Sequence, residues 1–199
     1  MKTKIIAVIL FTTLLAALFA GCESKEAKKI PTVTVNGKDI RISVTTIEEV
    51  VDEQIKVGYS SDGSFEEYDI NTNDLKLASA QSYNNIELAQ GGVSFATITI
   101  SNYTQNQLEF KKGVIYDFSA PINDTFRKLG IKINGQDVYG KSLTELQSLF
   151  EGSVLSDDGT QLVQEINVDD KYDYKITFTA SGGASADHVD VDRVMNKGE

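Results

Sequence analysis

Apolar and polar positions along the chain fall into three regimes. An apolar run from Ile5 to Ala20, uncharged throughout and polar only at Thr12 and Thr13, follows the basic start Met1-Lys2-Thr3-Lys4, and it is shorter than the roughly 20 residues a helix needs to cross a membrane, so it reads as a secretory signal. Further on, apolar residues alternate with polar ones, as in Tyr172, Tyr174, Ile176, Phe178 and Ala180 set between Asp173, Lys175, Thr177 and Thr179. That period of two predicts half-buried strands. Between them, Ile47, Val50 and Val51, and again Leu143, Leu146, Leu149 and Phe150, recur at helical spacing and predict two short helices with one apolar face each.

The pattern occurs twice. Val33-Thr34-Val35-Asn36-Gly37-Lys38-Asp39-Ile40 matches Ile131-Lys132-Ile133-Asn134-Gly135-Gln136-Asp137-Val138 at an offset of 98, and Asn-Gly between alternating apolar residues predicts a two-residue hairpin in both places. That turn pairs Val33 with Ile40 and Ile131 with Val138 and puts Val33, Val35, Ile40 and Ile42 on one buried face. Helix starts follow at Thr46-Ile47-Glu48-Glu49 and Ser142-Leu143-Thr144-Glu145, both with capping-box spacing. The turns Asp62-Gly63 and Asp158-Gly159 keep the offset of 96, whereas Ile98 and Ile176 are only 78 apart. The first copy therefore carries 18 extra residues, expected between about Glu67 and Gln90 as a long loop or an added strand, and this insertion is the preferred place for a partner. The fold expected is α+β: two tandem hairpin-helix-meander modules, each an antiparallel sheet covered by one helix, over residues 31–121 and 122–199.

The signal ends in Leu18-Phe19-Ala20-Gly21-Cys22, which resembles the lipobox of bacterial lipoproteins, although that family more often has Leu, Val or Ile where Phe19 stands. The resemblance implies removal of residues 1–21 and a lipid on the thiol of Cys22, the sole cysteine. The alternative is an ordinary cleaved signal with an incidental cysteine. Residues 22–30, polar and charged, are expected as a flexible tether. The duplicated layout resembles small domains of Gram-positive surface lipoproteins and, more distantly, the tandem helix-on-sheet domains of β-lactamase-inhibitor proteins. It carries no catalytic residue with it.

Composition removes several chemistries. One Cys and one His exclude disulfides within the chain, Cys/His zinc sites and any mechanism needing two histidines. Loss of residues 1–21 would remove Lys2 and Lys4 and no acid, leaving 17 bases against 29 acids. A body this acidic is repelled by phosphate backbones, so nucleic acid is not an expected partner, and basic peptides, cations or neutral surfaces remain.

Candidate chemistry is sparse. No Ser-x-x-Lys or Gly-x-Ser-x-Gly is present to activate a serine. His188, Asp190 and Asp192 alternate along one strand face and are the weak metal candidates, with a solvated strand face as the alternative reading. Asp69-Ile70-Asn71-Thr72-Asn73 begins like a calcium loop, but Asp74 stands where the EF-hand turn needs Gly and Ala80 where it needs Glu; a looser oxygen-ligand site or an Asx-rich turn remains. Glu48, Glu49, Glu66, Glu67 and Asp117 could serve a paired-carboxylate hydrolase, although Glu49 already has a capping role. Tyr83, Tyr103 and Tyr116 could offer stacking area to a sugar or peptide. The reading is thus a lipid-anchored binding or adaptor protein, inhibitor-like in one version, on the outer face of the cytoplasmic membrane. It needs no cofactor, and its partner is an envelope protein or polymer; the alternative is a small carboxylate-dependent wall hydrolase.

Overall fold

The computed structural model describes residues 29–72, 75–168 and 172–195. The expected signal peptide, Cys22 and residues 22–28 of the tether lie outside the described residues, as do Asn73 and Asp74. Among the described residues no helix is long and apolar enough to cross a membrane.

The chain opens with the hairpin β1 (Thr32–Val35) and β2 (Lys38–Arg41). Asn36 and Gly37 take φ of 50° and 77°, the left-handed values that a two-residue turn needs, and the register follows as Val33↔Ile40. Helix α1 (Ile47–Val50) starts on Thr46, whose backbone N–H and hydroxyl both donate to Glu49 Oε2, at 2.7 and 2.9 Å. After it come β3 (Lys56–Ser61), β4 (Ser64–Glu67), β5 (Lys76–Leu77), β6 (Ser82–Gln90), β7 (Val93–Ser101) and β8 (Leu108–Glu109). A 3-10 turn (Phe110–Lys112) leads into β9 (Val114–Pro121). The second half holds α2 (Asp124–Lys128), β10 (Lys132–Ile133), α3 (Leu143–Leu149), β11 (Val154–Leu155), β12 (Gln161–Asn167), β13 (Tyr172–Thr179) and β14 (His188–Met195). Ser142 caps α3 through Glu145 as Thr46 caps α1 through Glu49.

The architecture is mixed and dominated by antiparallel sheet. The expectation of a separate sheet for each module is overturned: one nine-stranded sheet runs through both halves in the order β11-β12-β13-β14-β9-β7-β6-β3-β4. Its seam is the β9/β14 pair, with Phe118↔Val191 and Asp117↔Asp192 in register. The cause lies in the last strand of each half, which has apolar residues on one face and an unfilled edge, so the two edges complete each other. A three-stranded sheet, β10-β1-β2, ties the halves together a second time through Val33↔Ile133. Its formation corrects the second hairpin. Ile131 does not pair with Val138 in a ladder; Asn134 and Gly135 turn the chain with a lone bridge from Ile133 to Gln136, and β10 pairs with β1 instead. Buried apolar residues from Val33 to Val191 form one continuous core.

Inward from its edges the large sheet reads β3-β6-β7-β9 on one side and β11-β12-β13-β14 on the other, each in chain order. The first half adds β4 outside β3 and the small β5/β8 sheet. Residues 67–90 thus include an interior strand, β6, and the chain with no counterpart in the second half lies between the Asp62-Gly63 turn and β6.

Candidate functional site

Two regions gather polar side chains. The first is a groove of about 690 Å³ beside the first half's extra chain, within the size range of small-ligand sites. One wall is Glu67, Tyr68, Asp69, Ile70 and Asn71, and the other is Glu48, Val51, Asp52 and Glu53, with Lys56 and Lys111 on the rim. Tyr68 is fixed between Tyr59 and Phe110, at centroid distances of 5.3 and 5.2 Å, and burial pushes its phenol above the ordinary value. Lys38 binds Asp52 at 2.6 Å. That bond and the Ile55 amide hold Asp52 down at about 2. Lys56 meets Glu67 at 3.2 Å, Lys112 meets Glu48, and Lys111 turns to Glu109. The lining then has five carboxylates against two ammonium groups. Asp69 closes an Asx turn, accepting from the Asn71 amide at 3.0 Å, so the calcium-loop start resolves here as a turn.

The second region is a polar strip on the face of the β9/β14 seam opposite the core. Alternation puts Asp117 and Ser119 of β9 beside Asp190 and Asp192 of β14, pairing Asp117 with Asp192 and Ser119 with Asp190. Ser119 Oγ donates to Asp190 Oδ1 at 2.6 Å and lies 2.8 Å from His188 Nε2, which is itself 3.3 Å from Asp190 Oδ1. Serine, imidazole and carboxylate here do not form a nucleophilic triad: one ring nitrogen faces both partners, and the serine proton is already given to the carboxylate. The bond to Asp190 raises His188 above its ordinary value against the effect of burial. Burial pushes Asp190 upward, but His188 and Ser119 outweigh it and hold it low.

Asp192 is pushed up to about 6, by burial first and then by the charges of Asp190 and Asp117, with Lys175 opposing. Asp117 is raised by burial too, although it accepts from the Thr99 amide at 2.8 Å. A carboxyl that is half-protonated near pH 6, beside Asp190, which is held ionised, can give and take a proton.

The strip brings together His188, Asp190 and Asp192, as their alternation predicts, and adds Asp117 and Ser119, which only the β9/β14 register could reveal. Among the described residues no three His, Cys, Asp or Glu side chains are placed to hold a metal ion. Of the carboxylates proposed for hydrolysis, Glu48 and Glu67 meet across the groove but each pairs with a lysine, Glu49 caps α1, Glu66 lies exposed opposite Tyr59, and Asp117 lies apart from them on the seam. Of the tyrosines, Tyr83 is structural, its hydroxyl accepting from the Ala78 amide at 3.0 Å. Tyr103 is 48% exposed, and Tyr116 is half-buried. Compared with protein-family models, with curated proteins and with solved structures, the chain finds no match.

Proposed function

We propose that this chain is a binding or adaptor protein of the cell envelope, held at the membrane by a lipid on Cys22, whose groove beside the first half's extra chain takes a cationic segment of its partner. The observation that carries the reading is the groove's lining, in which the exposed Glu53 and Asp69 have no cation partner among the described residues and Tyr68 supplies an aromatic surface. An acid excess of this kind draws basic ligands and repels anionic ones. The mirrored strand order and the repeated turn and cap residues support a tandem duplication, with the binding surface grown from the copy that gained chain.

The test is titration of a fluorescent tetralysine peptide into the full chain, followed by anisotropy. Binding should weaken steeply with salt, and the pair Glu53→Lys and Asp69→Lys should reduce it by about tenfold or more, since each reversal replaces attraction with repulsion. Undiminished binding by the double variant removes the groove from the reading. Lipidation has its own check, loss of acyl labelling in Cys22→Ser.

The raised carboxyls of Asp117 and Asp192 favour a second reading, a carboxylate-dependent hydrolase acting on a wall polymer. Turnover lost in both Asp117→Asn and Asp192→Asn, with a pH profile bending near 6, would support it; absence of turnover of purified wall material would sink it.

A further inference from the structure

On the core face of the seam, beyond the last aliphatic pair, the lining changes from aliphatic to aromatic. Val189 and Val191 of β14 are fully buried, and the next residue on that face is Arg193. Its guanidinium stacks on the Tyr172 ring at 3.5 Å and lies 5.1 Å from the ring centre of Tyr103 and 5.9 Å from that of Tyr116. Three tyrosines surround this arginine, and among the described residues no carboxylate lies within ion-pair distance of it. Its Nε is buried without a hydrogen-bond partner, and among the described residues no side chain or carbonyl accepts a hydrogen bond from the guanidinium. Stacking fixes the guanidinium plane and leaves the donor edge unused, which is the arrangement that meets a planar anion with two parallel bonds.

The aromatic wall is rigid. Tyr103 is exposed, but its neighbour Asn102 is buried and fully used: its side-chain amide donates to the carbonyls of Leu77, Ala78 and Asn106, and its oxygen accepts from the Thr104 amide and hydroxyl. An exposed ring held by a satisfied buried network loses little freedom on contact with a ligand. Met195, 66% exposed and directly across from Tyr172, adds an apolar surface beside the guanidinium. We propose that Arg193, with Tyr103, Tyr116, Tyr172 and Met195, forms a binding site for a carboxylate carried on an apolar group, as at the end of a peptide with an apolar last residue. The single charge of a carboxylate suits an acidic protein better than a doubly charged phosphate, which the surrounding acids repel more strongly. This site is separate from the groove and stands whether or not the groove binds a cation.

The test follows the Arg Nε–H resonance of the full chain, ¹⁵N-labelled in neutral detergent micelles, during titration with N-acetyl-leucine, N-acetyl-leucinamide, glucuronate and inorganic phosphate. The expected result is a saturable shift of the Arg193 signal by N-acetyl-leucine, with the amide about tenfold weaker or worse because it lacks the charge that the fork binds. Glucuronate should be weaker than N-acetyl-leucine, having no apolar group to place on Tyr103 and Met195. Arg193→Lys, which keeps the charge and removes the fork, should reduce affinity at least several-fold. Tyr103→Leu, at an exposed position, should also weaken binding while the rest of the amide spectrum stays in place. A shift by phosphate equal to that by N-acetyl-leucine, an equal response to the amide, or no shift of the Arg193 signal would each overturn the proposal.

Discussion

The two faces of the β9/β14 seam are built from the same two strands and do opposite things. On one face Phe118, Ala120, Val189 and Val191 are buried against the rest of the core, and the gain is nondirectional removal of apolar surface from water. On the other, one residue out of phase, Asp117, Ser119, Asp190 and Asp192 share a strip where three carboxyls compete for room and one of them titrates near 6. The difference teaches that this seam is closed by its apolar face and endures its polar one. A strip of acids that opposes the very pairing that joins the halves is a place where the fold carries a local electrostatic cost.

Substitutions can separate the two contributions. The largest effect belongs to the apolar face: Phe118→Ala should lower unfolding stability by about 3–5 kcal/mol in urea titration, with a cavity left at the seam. Next is Asp192→Asn, which should stabilise. A carboxyl raised from 3.8 to about 6 keeps its proton in the folded state while the unfolded chain loses it, so stability falls as pH rises from 3.8 to 6 and stays lower above. Removing the charge should recover about 1–2 kcal/mol at pH 7, allowing for partial exposure, and almost nothing at pH 3.5. A wild-type stability that is flat across that interval would sink the account of the strip.

Smaller again is His188→Gln. Because His188 is raised and Asp190 lowered by one another, the pair contributes most above the ordinary carboxylate value and below the ordinary imidazole value, and is lost as pH climbs through the raised imidazole. The variant should cost about 0.5–1 kcal/mol near pH 5.5 and less at pH 8, read from paired denaturation curves. The smallest effect is expected in the groove: Glu53→Lys should change stability by no more than about 0.5 kcal/mol, since its carboxylate has no partner to lose, and a larger change would mean the groove is structural.

Much of the local structure was legible in the sequence because it rests on short-range chemistry. The Asn36-Gly37 turn, the boxes at Thr46 and Ser142 and the alternation of β13 each need only neighbouring residues, and each lies where the pattern puts it. The seam was not legible, since nothing in β9 or β14 alone says which strand will fill its open edge. For the same reason the strip was half seen: His188, Asp190 and Asp192 share a face by alternation, but Asp117 and Ser119 join them only through a pairing that bridges about 70 residues of chain. The second Asn-Gly site shows how a local signal can be diverted. Its turn forms, yet β1 offers Lys132 and Ile133 a better partner than their own return arm.

That diversion, together with the seam, fixes an order of events during synthesis. β1, at Thr32–Val35, pairs with β10 about a hundred residues later, and β9 waits for β14, which ends at Met195. Contacts of such sequence separation form slowly because a long loop must close before they yield anything. A nascent chain halted after Pro121 would display the bare edge of β9 and a hairpin without its third strand, ready to pair with any other unfinished chain. The native sheet can close only after β14 has been made as far as Met195, so the two halves reach the folded state together.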